Sequence, residues 1–230
     1  MSTEIQQKPK SEAQKSLELV KSREVDLSEL AGASDSPGMQ IAVAFGQAMR
    51  TNPQIALCTA ESKMAAVYKV AALNMDCSGT TGEVWLVPIK EKEVLKLNVW
   101  VGVAGMLKLA RRSGMVASVN CAAVREGDVF RYVPTDATTP LYHEPKSGTA
   151  KVIAFWAQVV LTSGAKETAV VWQDEFAELV AAGQAKTFST SGPWHKHPAR
   201  MVELVAIRRA LKRAPRSIQQ PPAAHGPGSV

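Results

Sequence analysis

Glu83-Val-Trp-Leu-Val-Pro-Ile-Lys-Glu-Lys-Glu-Val-Leu-Lys-Leu-Asn-Val-Trp-Val101 is the stretch on which the fold of this 230-residue chain turns. Two apolar runs, Glu83–Ile89 and Val94–Val101, flank the charged Lys90-Glu-Lys-Glu93, as in a β-hairpin. In the second run Leu95, Leu97, Val99 and Val101 face one way, while Lys96, Asn98 and Trp100 face the other. That alternation describes a sheet with one packed and one accessible face.

Upstream the period is helical. A helix is expected from Met39 to Met49, Asn52-Pro53 breaks it, and Thr59 or Ser62 caps a second helix reaching about Asn74. Downstream, Gly102 and Gly105 bracket a turn into a short basic helix, Met106–Ser113, closed by Gly114. Strands are predicted at about 115–124 and 128–133, then a loop over 134–148. Lys151–Thr162 is apolar on both faces, which suits a central strand, and Ser163-Gly164 turns it into a partner, Glu167–Trp172. A helix at about 174–182 ends at Gly183, and a terminal helix follows with Pro198 in its first turn. The sum is an α+β fold: a small, mostly antiparallel sheet with a hairpin, packed by helices from both ends of the chain. Residues 1–37 read as a flexible N-terminal arm able to turn helical on a partner, 38–215 as the core, and 216–230 as a tail of disordered composition.

Several classes of chemistry lack their sequence marks. No GxxxxGK[ST], GxGxxG or GxSxG motif is present. His195 and His197, one residue apart and followed by Pro198, have poor zinc geometry. Cys58, Cys77 and Cys121 form no CxxC pair and are expected to be reduced, buried thiols. Asp174, Glu175 and Glu178 read as solvated charges on a helix face. No apolar run reaches the roughly 18–20 residues of a membrane span, and the first residues lack a signal-peptide core, so a cytoplasmic, non-enzymatic protein without cofactor is expected.

The distinctive feature is charge. From Lys196 to Arg216 seven Lys/Arg face one acid, Glu203, an excess equal to the net charge of +6 of the whole chain. Charge so localised points to a polyanion partner held through phosphates. On a helical wheel Met201, Leu204, Val205, Ile207 and Leu211 form an apolar arc, with Arg208 and Lys212 projecting into its middle and Arg209, Arg213 and Arg216 beside it. Lys196 and Arg200 add charge at the start of that helix. A second cluster, Lys108, Arg111 and Arg112, follows the strand that exposes Lys96 and Trp100. Cations beside flat rings suit a single strand, and Trp194 offers either a further platform or a packing anchor.

Four segments, in order, resemble the RecT family of phage and prophage single-strand annealing proteins. They are Asn52-Pro-Gln-Ile-Ala-Leu-Cys58, Trp85-Leu-Val-Pro-Ile89, Val101-Gly-Val-Ala-Gly-Met-Leu-Lys-Leu-Ala-Arg-Arg-Ser-Gly114, and Ser191-Gly-Pro-Trp194 with Met201 to Pro215. Arg111, Ser113, Gly114, Trp194, Met201, Arg208, Arg209 and Lys212 match the family pattern position by position. Val103-Ala104 stand where the family has Tyr-Lys, Arg200-Met201 where it has Glu-Met, and Leu204-Val205 where it has Lys-Thr. The resemblance implies an ATP-independent recombinase that coats single-stranded DNA as an oligomeric ring or filament and pairs complementary strands through an annealed duplex intermediate. It also implies a phage 5′→3′ exonuclease as partner and raises host single-strand-binding protein as another. The alternatives are a passive single-strand DNA or RNA coat and a metal-dependent nuclease.

Overall fold

The computed structural model describes residues 10–32, 37–146, 148–185 and 193–216. The chain divides into two compact units, Met1–Gly105 and Met106–Val230. The single core expected over 38–215 is thus crossed by a unit boundary, and that boundary falls inside the short basic helix.

The first unit opens with α1 (Glu12–Lys21) and α2 (Glu24–Ala31). Ser11 and Gln14 form a reciprocal capping box at the start of α1. These helices occupy most of the stretch expected to be a flexible arm. Their apolar stripe is narrow, but Val20 and Leu27 are fully buried against the helices that follow. Those are α3 (Pro37–Thr51) and, after a 3-10 turn over Pro53–Leu57, α4 (Ala60–Leu73). Thr59 caps α4, and Asn74 ends it in the left-handed conformation. Lys63 is buried, and its ammonium donates to Ser16 Oγ at 2.7 Å and to the Ala56 carbonyl at 3.0 Å, tying α1 to α4.

The hairpin forms as read, with β1 (Val84–Glu91) antiparallel to β2 (Val94–Val101). Its two turn residues, Lys92 and Glu93, both have positive φ, 44° and 69°. Only a primed turn matches the twist of a two-residue hairpin, and it demands that backbone of whatever sequence is present. α4 is sewn to β2 by two hydrogen bonds: Thr59 N–H to the Leu95 carbonyl at 3.0 Å and Leu97 N–H to Ser62 Oγ at 3.1 Å. Gly102 and Gly105 are needed for close approach, since a Cβ on either would collide with the backbone carbonyls of Gly82 and Glu83.

Through α5 (Val103–Arg112) the chain enters the second unit, which holds β3 (Val116–Arg125), β4 (Val129–Tyr132), β5 (Leu141–Glu144), β6 (Val152–Leu161) and β7 (Lys166–Trp172). A 3-10 turn at Gln173–Glu175 leads to α6 (Phe176–Ala185), α7 (Pro193–Lys196) and α8 (Pro198–Arg213). β6 is the central strand, as its two apolar faces require, in an antiparallel sheet ordered β3-β6-β7. The expected loop over 134–148 contains β5, which pairs with β4; the polar Leu-Tyr-His-Glu run hid it.

Register defines two faces of the sheet. Cys121 pairs with Ala157 and Ala157 with Ala169, a row of small side chains. Cys121 Sγ donates to Glu203 of α8, so this row lies on the α8 face. The other face carries the β4–β5 hairpin. There Trp156 Nε1–H donates to His143 Nδ1 at 3.0 Å, and His143 Nε2 lies 3.0 Å from Asp128 Oδ2. An indole N–H can only donate, so Nδ1 is the acceptor and the imidazole proton sits on Nε2. Asp128 also accepts the backbone N–H groups of Arg125 and Lys146, and these bonds, with His143, hold its carboxyl down to about 2.

Replacing Lys92-Glu93 by Asn-Gly, residues that adopt positive φ readily, should stabilise the first unit by about 1 kcal/mol. Thermal denaturation should show a rise in Tm of about 2–4 °C. In the second unit, His143→Phe strands the Trp156 N–H, at a cost of about 1–3 kcal/mol, and should lower Tm accordingly.

Candidate nucleic-acid interface

α8 lies across the sheet because its inner stripe is apolar and partly small. Val202, Ala206, Ile207, Ala210 and Leu211 are buried, followed by Ala214. This differs from the arc read from the sequence. Met201, Leu204 and Val205 are half-buried rather than core, and Arg208 and Lys212 point away from the sheet, exposed. The alanines were too small to register as an apolar face, yet Ala206 and Ala210 are fully buried.

That orientation sorts the cations. Arg200 pairs with Glu203 at 2.6 Å. Arg209 pairs with Glu175 at 2.8 Å, a bond that holds the Glu175 carboxyl below its ordinary range against the effect of burial. Arg213 Nη1 donates to the Thr168 carbonyl of β7 at 3.2 Å. Glu175, expected to be a solvated charge, is thus the clamp for Arg209. Among the described residues Arg208 and Lys212 make no ion pair or hydrogen bond, and they lie one turn apart on the outward face. Lys196 and Arg216 are likewise exposed.

In α5, Arg111 is exposed, while Lys108 and Arg112 are half-buried and engaged with other groups. Cys58 and Cys77 are buried free thiols, and burial pushes Cys77 up to about 12. Cys121, expected buried, is exposed on β3 beside Glu203. Among the described residues no group of three or more His, Cys, Asp or Glu is placed to hold a metal, and no helix is long and apolar enough to cross a membrane.

Trp194 is half-buried, with its indole lying on Gly183 of α6, where any Cβ would strike the ring. Gly183 therefore does not end α6. It is a buried position inside the helix, kept bare for Trp194. Of the Ser191-Gly-Pro-Trp194 segment, Ser191 and Gly192 lie outside the described residues.

The first unit carries its own accessible surface. Trp100 is 53% exposed, and its cross-strand partner Trp85 is 49% exposed. The Trp85 ring lies beside Gly79, Gly82 and Gly102, and about half of its surface remains exposed. Lys96 shares this face, paired with Glu91 at 3.0 Å. Trp85 was not singled out from the sequence, although a two-residue turn at Lys92-Glu93 places it opposite Trp100 by simple counting.

Fold and surface together define an α+β protein with a small antiparallel sheet and a basic helical face. The chain matches the RecT family model over residues 39–225 and belongs to that family. It is 30% identical to Protein RecT of Escherichia coli (strain K12) over 176 residues, covering 74% of this chain and 64% of that protein. It is 28% identical to an uncharacterized protein, YqaK, of Bacillus subtilis (strain 168) over 111 residues, covering 48% of this chain and 37% of that one. The chain thus spans just under two thirds of the length of the Escherichia coli relative.

If Trp194 is an anchor for α6, Gly183→Ala should cost about 1–3 kcal/mol through overpacking. Thermal unfolding followed by tryptophan fluorescence measures this directly. An unchanged Tm means that the ring does not rest on Gly183.

Proposed function

We propose that this protein binds single-stranded DNA and anneals complementary strands without ATP, as a homo-oligomer in phage-type recombination. Membership of the RecT family supports a recombination and annealing role. The observation that carries the reading to residues is the pair of exposed cations, Arg208 and Lys212, on the outward face of α8, which have no partner among the described residues. They are free to meet phosphates, whereas Arg200 and Arg209 each have a carboxylate partner and Arg213 bonds to the Thr168 carbonyl.

In this mechanism α8 holds the backbone of a strand at Arg208 and Lys212, with Lys196 and Arg111 adding positive charge. Arg209 is a positioning residue that fixes α8 to the Glu175 turn. In the first unit, taken by itself, the exposed Trp85 and Trp100 are a separate surface suited to stacking bases, a contact tolerant of sequence. Annealing needs no fuel, because pairing and stacking run downhill once repulsion between two polyanions is neutralised. A phage 5′→3′ exonuclease is the natural source of the single strands, and host single-strand-binding protein is a candidate competitor or partner.

The test mixes complementary fluorescent oligonucleotides with the full chain, without ATP and with or without magnesium. Accelerated pairing supports annealing, binding without acceleration leaves a passive coat, and shortened strands reveal a nuclease. Within that assay Arg208→Ala with Lys212→Ala should slow pairing at least about tenfold, equivalent to about 1.4 kcal/mol, at unchanged Tm. Arg209→Ala should act chiefly through Tm, by no more than about 1 kcal/mol, since the pair it breaks is more than a third exposed.

A further inference from the structure

Within the first unit, α3 is apolar on two sides. Ile41, Ala42, Phe45, Ala48 and Met49 are buried, while Met39 and Val43, on the opposite side of the helix, stay 38% and 62% exposed. With Gln40, Gln47, Ser78 and Thr80 they line a groove of about 460 Å³ between α3 and the loop that follows α4. No lysine or arginine is among the residues lining it. Asp76, also in the lining, turns its carboxylate to its own loop, accepting the Ser78 N–H, Ser78 Oγ and Thr81 Oγ1 at 2.8, 2.8 and 2.9 Å. A groove that is apolar at its centre, uncharged at its rim and without a cation repels phosphate and suits an apolar side chain of a protein.

The same unit presents such a side chain elsewhere. Leu57, the last residue of the 3-10 turn, is 67% exposed, and the buried Ile55 and Ala56 before it fix the turn that holds it out. Of the exposed residues within four positions of Leu57, Pro53, Gln54 and Ala60 are uncharged and only Glu61 carries charge. Val25 is as exposed but sits among Lys21, Arg23, Asp26 and Glu29, which match no uncharged groove. Leu57 does not line the groove of its own chain: the groove uses the first turns of α3, and Leu57 lies beyond its C-terminal end. We infer that Leu57 of one copy of this chain seats in the Met39–Val43 groove of the next. Knob and groove are different surfaces, so the contact runs head-to-tail, and every copy added leaves a vacant groove at one end and a free Leu57 at the other. Such a contact closes into a ring or continues as a filament. It rests on the proposed homo-oligomer, to which it gives a contact, and it uses none of the cations of α8.

The test follows assembly of the full chain by analytical ultracentrifugation, with and without a single-stranded oligonucleotide. Leu57→Asp and Val43→Asp, both at exposed positions, should each weaken assembly at least about tenfold at unchanged circular dichroism. An equimolar mixture of the two should give a one-to-one pair and nothing larger, because one intact knob and one intact groove remain between them. A covalent readout is independent of affinity. In a Cys121→Ser background, Leu57→Cys combined with Val43→Cys should oxidise to a ladder of reducible species beyond the dimer, while either single variant stops at the dimer. A parent chain that is monomeric in both conditions overturns the homo-oligomer itself. A parent that assembles, with Leu57→Asp and Val43→Asp indistinguishable from it, overturns this contact alone. A double-cysteine chain that stops at the dimer overturns the head-to-tail arrangement in favour of a reciprocal exchange between two copies.

Discussion

The basic surface of α8 depends on one contact, the packing of that helix on the sheet of the second unit. Val202, Ala206, Ile207, Ala210 and Leu211 form the buried stripe of α8, and Cys121 of β3 and the Thr168 carbonyl of β7 bond to its Glu203 and Arg213. Once that face is committed, the rotation of α8 is fixed, and with it the direction of each cation. Arg209 meets Glu175 and Arg213 meets the edge of β7, while Arg208 and Lys212 are left in solvent. A net charge of +6 thereby becomes a surface with a definite direction.

The first unit obeys a different constraint. Its hairpin is held by α4 through Thr59 and Ser62, which bond to the backbone of β2. This leaves the opposite face, with Trp85 and Trp100, uncovered. Both tryptophans are about half exposed on this face of the hairpin.

Much of this was legible in the sequence where the pattern is periodic and the side chains are large. The alternation of Leu95 to Val101 gave the hairpin, and the doubly apolar Val152–Leu161 gave the central strand. What escaped was encoded in small or polar residues. Alanines at 206 and 210 define the buried stripe of α8 but carry a weak apolar signal, so the wheel was read toward Met201 and Val205. Gly183 resembled a helix stop, because the ring that excludes a Cβ lies outside its own helix. β5 consists of Leu-Tyr-His-Glu, whose strand character comes from pairing with β4 and from the bond between His143 and Trp156. α1 and α2 looked like a polar arm because only a few apolar residues anchor them, and Lys63, a charge, is one of the groups that hold them. The ion partners of Arg200 and Arg209 depend on tertiary placement that no local pattern records.

The central claim is that Arg208 and Lys212 are the phosphate contacts of α8 and that the paired arginines are not. The salt dependence of single-stranded DNA affinity measures this most directly, because each neutralised phosphate adds about 0.7 to the slope of log affinity against log salt. Removing Arg208 and Lys212 should reduce that slope by about 1.4, and removing Arg200 and Arg209 should leave it near the parent value. An unchanged slope in the Arg208/Lys212 variant, or an equal fall in the Arg200/Arg209 variant, would contradict the account.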